Sequence, residues 1–242
     1  MIEDAQRIIE YLPISFRNVS EQEYINFLWE TFVTNYQAEK YPFAFLAYHM
    51  LFMSFVYFEI WQIKANHSDD FQKAMIGFNK DMENELMQAS TPFTLWQVSE
   101  SSVFRFLKLI GMSNTDIGQC TKIVKERNDA AHSNGNIFFR NQLELDDKIE
   151  EILKCVDIIQ GHSSMILESC YERFLVEGAD KVHREFGDDE DQIREILVYG
   201  NYLSPRDIEI LKCCPLDNLA NNVDFENIMD LVNLIEIMYP DQ

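Results

Sequence analysis

Proline and glycine are scarce, with six and eight among 242 residues. A β-sandwich or barrel needs a turn signal every ~8–12 residues, so these counts exclude that class and favour long helices. Basic residues are also few, 20 Lys and Arg against 41 Asp and Glu, for a net charge of −21. That excludes a protein that coats nucleic acid over its whole surface, because phosphate binding needs a broad basic face. The five cysteines stand at 120, 155, 170, 213 and 214, without a CxxC. The expectation is free thiols in a reducing, cytoplasmic compartment. No basic n-region followed by an apolar h-region opens the chain, so no signal peptide is expected. Phosphate loops, dinucleotide fingerprints, GxSxG and HExxH are all missing. His49, His67, His162 and His183 lack partners at metal-ligand spacing. The acidic run at 188–191 precedes an apolar helical stretch and is read as complementing a helix N-terminus. Neither metal nor cofactor is expected.

The chain does carry apolar and helical signal. Residues are 47% hydrophobic and 13% aromatic, with 18 Phe, which argues for a packed core. From Tyr41 to Phe58 nearly every residue is apolar, broken only by Pro42, His49 and Ser54. The length approaches a membrane span. His49 near its middle, and Glu59, Gln62 and Lys64 straight after it, favour a fully buried central helix and no membrane. Ser20 to Glu23 reads as a capping box before a helix carrying Leu28, Trp29, Phe32 and Tyr36. Ser68 is expected to cap one helix striped by Phe71, Met75, Phe78 and Met82. Thr91-Pro92 opens a short helix, and another through Val103 and Ile110 stops at Gly111. A helix from Asn114 or Thr115 reaches Ala131 and ends at Ser133-Asn134-Gly135. A long helix follows from about 143 to 176, with Gly161 as a kink point and Gly178 closing it.

Composition shifts after Gly178. Residues 180–242 carry 15 acidic and 5 basic side chains, whereas 101–179 carry 12 and 9. The expected organisation is all-α: a helical domain over 1–178 and a small acidic helical appendage over 179–242. Residues 203–211 faintly resemble the opening of a helix-turn-helix module, but the acidity of this part argues against DNA binding.

One constellation carries chemistry. Lys125-Glu126-Arg127-Asn128-Asp129-Ala130-Ala131-His132 places Arg, an amide and His together at a helix end. Asn128 and His132 are four apart, on one helix face, where the amide can orient the imidazole. Metal-independent RNA cleavage needs these residue types. A base takes the proton of the attacking 2′-hydroxyl, an acid protonates the leaving 5′-oxygen, and a cation stabilises the phosphorane. Histidine serves either proton role, and arginine forks onto phosphate oxygens. Arg105, Lys108, Lys122, Lys125 and Arg127 against Asp116 and Glu126 give +3 over residues 103–127, a local basic patch in an acidic chain. At a Debye length of about 8 Å such a patch can act locally. Lys122, Lys125 and Arg105 are therefore the expected substrate-binding cations.

Arg127-Asn128-Asp129-Ala130-Ala131-His132 resembles the R-polar-x-x-x-H signature of the HEPN superfamily. The likeness covers about residues 20–178, and the short motif is its sharp part. It implies a HEPN-like helical bundle that dimerises so that two motifs share one cleft. It also implies a metal-independent endoribonuclease of the toxin–antitoxin or anti-phage defence kind. In that reading Arg127 clamps phosphate, Asn128 orients His132, and His132 moves the protons. In the subset paired with nucleotidyltransferase antitoxins a Tyr stands two residues after the His. Asn134 stands there in this chain. The alternative is a non-catalytic helical interaction or adaptor module. The expected partners are an RNA substrate, a second copy of the chain, and a regulatory or antitoxin protein on the acidic C-terminal part.

Overall fold

The computed structural model describes residues 2–132 and 135–240. Every regular element among them is helical. In order these are α1 (Ile2–Gln6), α2 (Val19–Gln37), α3 (Tyr41–Asn66), α4 (Ser68–Ala74), α5 (Lys80–Gln88), α6 (Glu100–Val103), α7 (Asn114–Ala131), α8 (Gln142–Ala179), α9 (Asp189–Asp191), α10 (Pro205–Lys212) and α11 (Phe225–Met238). Short 3-10 segments at Arg7–Tyr11, Pro92–Gln97 and Phe104–Ile110 join them, and α9 runs into a π-helical stretch, Gln192–Tyr199.

The apolar run organises the fold. α3 is apolar on all sides, so burial requires neighbours all round it. α2, α7, α8 and the segments at 92–97 and 104–110 supply them. Of its most apolar 18-residue stretch, 83% is buried inside the protein. Phe45, Phe52, Phe55 and Phe58 are shut off from solvent, each burial contributing about 1.5–3 kcal/mol. Pro42 lies in its first turn, where a missing N–H costs nothing.

Several boundaries differ from the sequence expectation, each for a physical reason. α2 is capped by Asn18, whose Oδ1 accepts the Glu21 amide at 2.9 Å, not by Ser20. Glu21 instead turns inward and accepts hydrogen bonds from Thr91 (2.6 Å) and Tyr202 (2.9 Å). The stripe Phe71–Met82 is divided between α4 and α5. Gly77 at φ +98° breaks the helix, and Asn79 caps the next one through the Met82 amide. Ser68 is the first residue of α4; His67 holds the cap position, without a side-chain cap bond. α8 runs through both Gly161 and Gly178. The role of Gly178 is close approach: a Cβ there would lie 3.2 Å from the Leu231 side chain of α11. Two further helix starts are capped. Asp188 accepts the Glu190 and Asp191 amides, and Ser204 and Asp207 form a reciprocal capping box at α10. Ser133 and Asn134, expected to end α7, lie outside the described residues.

The boundary expected at 178/179 falls at the end of α8, a helix that serves two cores. Residues up to Ile166 belong to the main core around α3. Leu167, Tyr171 and Phe174 wall a second core with residues 193–235. The C-terminal part also re-enters the first core. Tyr202 stacks near Phe58 at 5.3 Å, and the Ile14 amide donates to Leu203 O at 2.9 Å. Asp207 is fully buried and accepts from Gln62 of α3 (2.9 Å) and Gln160 of α8 (2.6 Å).

Glu59 of α3 shares this dry polar region and accepts from Ser163. Burial first, then the negative charge of Asp207, pushes its carboxyl up to about 8. A folded-state value above the unfolded one means the native protein holds an extra proton between pH 4.5 and about 8. The contribution is fully present below pH 4.5 and is lost as pH rises through 8. Glu59→Gln should therefore gain stability relative to the parent as pH is raised from 5 to 8.5. Thermal melts across that range check it; a constant difference contradicts it.

Candidate functional site

The site is assembled where α7 meets α6 and the middle of α3. Ser113 caps α7 through the Asp116 amide, and Cys120, Ile123 and Val124 anchor it in the core. Three and four residues after Val124 come Arg127 and Asn128, on the same helix face. All three line an open cleft of about 870 Å³. Tyr24, Met50, Tyr57, Phe93 and Trp96 give the cleft an aromatic and apolar wall, and Ser99, Glu100 and Ser101 a polar edge.

Glu100 binds the site to the core. Its Oε2 accepts from His49 Nε2 at 3.0 Å and is ion-paired with Arg127 Nη2. His49 is wholly buried in α3, between Phe45 and Phe52 at 6.2 Å each. Its bond to a carboxylate puts the imidazole proton on Nε2 and leaves Nδ1 without a partner. Burial holds the ring below its usual pKa, against the pull of Glu100. For Glu100, burial works to raise the carboxyl but is outweighed by the hydrogen bonds and charges of His49 and Arg127. Its pKa falls to about 2. Arg127 keeps a buried Nε–H without a partner, so one carboxylate does not exhaust its five donors.

The remaining expected residues are placed differently. His132 is exposed and follows the last residue of α7, its backbone extended at φ −90° and ψ 145°. Its amide still donates to Asn128 O at 3.0 Å, but the ring leaves the helical course and the cleft wall. The Asn128 side chain faces the cleft. Lys122 pairs with Glu151 (3.2 Å) and Glu126 (3.7 Å), in a network that also contains Lys148. Lys125 and Arg105 are exposed and outside the cleft lining. The fold thus joins Arg127 through Glu100 to His49, a pairing that spacing could not give. A polar ring inside an otherwise apolar run was the available signal, since a buried histidine requires a partner. Glu100 carried no local signal. Among the described residues no group of three His, Cys, Asp or Glu side chains could hold a metal ion. No family model, curated protein or solved structure matches the chain.

The depressed pKa of Glu100 defines a pH window. Its stabilisation is present above the unfolded value of 4.5 and is lost as pH falls towards 2. Glu100→Gln should destabilise the fold by about 1–3 kcal/mol at pH 7, because a charge-assisted contact is lost and Arg127 remains half-buried. The deficit should shrink below pH 4. Denaturant titration at pH 7 and pH 3.5 measures both, and equal deficits at the two pH values contradict the assignment.

Proposed function

We propose that this chain is a metal-independent endoribonuclease of HEPN type, with its site at the C-terminal end of α7. The observation that carries the reading is Arg127. It lines an open cleft with its side chain 27% exposed, five residues before an exposed histidine that follows the helix. Arg127 binds the scissile phosphate through donors not held by Glu100. His132, exposed just past the end of α7, takes the 2′-hydroxyl proton or returns one to the 5′-oxygen. Glu100 and His49 act as positioning residues that fix the guanidinium. A toxin or anti-phage defence effector is the biological role that the motif's resemblance implies. The acidic 180–242 part is the proposed surface for a basic regulatory or antitoxin partner.

The experiment is RNA cleavage by purified protein in excess EDTA. Activity is expected, and His132→Ala should abolish it. The melting temperature of that variant should stay within ~2 °C, since an exposed side chain contributes little stability. Cleavage that needs a divalent metal, or that survives the His132 change, refutes the reading.

One motif supplies one histidine, and concerted cleavage uses two proton-transfer groups. A twofold dimer places each motif opposite its own copy. Ile137 and Leu143, 67% and 69% exposed, follow the motif in sequence and offer apolar area for that contact. Analytical ultracentrifugation at micromolar concentration should give twice 28.5 kDa. A monomer with full activity contradicts the shared site.

The adaptor reading draws support from the Arg127–Glu100 pair, which ties the motif into the core as a structural contact does. It predicts binding without cleavage.

A further inference from the structure

Resting on the ribonuclease reading, we propose that the cleft beside Arg127 is a nucleobase pocket. It takes one unpaired base of single-stranded RNA, stacked on Trp96, while the attached phosphate meets Arg127.

Trp96 is the first reason. It lies on the 3-10 segment Pro92–Gln97 at the cleft and is 72% exposed. Indoles are normally well buried, as Trp61 is here, so this one gives up favourable burial in the free protein. A planar ligand stacked on it would restore that burial.

The second reason is the wall behind it. Phe93 meets Tyr24 at 5.3 Å and 88°, and Tyr57 at 6.2 Å and 89°. These edge-to-face contacts hold the three rings in fixed positions before any ligand arrives. A volume of about 870 Å³ sits within the usual small-molecule range of ~300–1,000 Å³.

Charge gives the orientation. The one cation among the cleft's lining residues is Arg127. Glu21, at the Thr91 and Tyr202 side of the cleft, would repel a phosphate lodged there. A ligand with a flat aromatic part and a single adjoining anion fits this layout, with the base inward and the phosphate at Arg127. An aliphatic chain would bring Arg127 no anion. Bases in a duplex are stacked and paired, and reaching the pocket would require extrusion, so the substrate class is single-stranded RNA.

The test separates pocket from chemistry. Fluorescence anisotropy in EDTA compares a labelled single-stranded oligoribonucleotide with a duplex of the same sequence. Wild-type, Trp96→Ala and Trp96→Tyr proteins are used, with a catalytically silenced His132→Ala background to prevent cleavage. Single strands should bind tighter than duplex. Trp96→Ala should weaken single-strand binding by about ten-fold or more, in line with loss of one base–aromatic stack, and Trp96→Tyr should restore most of it. Competition with a free mononucleotide distinguishes the source of the base. Displacement only by oligomers supports an RNA site, whereas full displacement at equal concentration makes it a mononucleotide site and overturns the RNA assignment. Single-strand binding indifferent to Trp96 overturns the pocket even if cleavage is observed. Trp96-dependent binding by a protein that never cleaves supports the pocket and refutes the nuclease reading alone.

Discussion

A helix that is apolar on every side has to be surrounded, and the architecture follows from enclosing α3. α2 folds back against it through a short connection at 38–40, α8 lies along it, and the segments at 92–110 close the remaining face. That last closure matters for function. It brings Glu100 to His49 in the middle of α3, and the same carboxylate reaches Arg127 on α7. The core thereby fixes a guanidinium at the edge of an open cleft.

Electrostatics explains how so acidic a chain can present a cationic site. Several of its positive groups are answered by neighbouring carboxylates: Lys122 and Lys148 by Glu126 and Glu151, Arg184 by Asp189, Arg206 by Glu10 and Glu209. Arg127 is answered only in part: it pairs with Glu100, and its side chain stays 27% exposed at the cleft. Long-range repulsion from the net charge decays within about a Debye length, so the recognition proposed above depends on the few ångströms around Arg127. The buried acids at Glu59 and Asp207 serve a different purpose. They tie the C-terminal part to α3 and α8 and make that junction sensitive to pH.

Much of this was legible in the sequence where the signal is local. The all-α class, the buried run from Tyr41 and the stop at Gly111 could all be read from residue type and spacing. Errors arose where two local choices compete. Asn18 and Ser20 are both competent caps, and the inward turn of Glu21 accompanies the choice of Asn18. Phe71, Met75, Phe78 and Met82 keep helical spacing across a real break, because Gly77 and Asn79 interrupt the backbone without disturbing the stripe. The i,i+4 argument for Asn128 and His132 assumed a helix that in fact ends at Ala131. The His49–Glu100–Arg127 link is tertiary, and spacing carries no trace of it.

The central claim is that this cleft cleaves RNA through its own 2′-hydroxyl rather than through an activated water. Product ends report that directly. In the first case the 2′-oxygen bonds to phosphorus, the bond from phosphorus to the 5′-oxygen breaks, and the proton goes to that oxygen. Mass spectrometry of the fragments released in EDTA should therefore find 2′,3′-cyclic phosphate paired with 5′-hydroxyl ends. Fragments with 3′-hydroxyl and 5′-phosphate ends, or RNA left intact by a folded dimer, would contradict it.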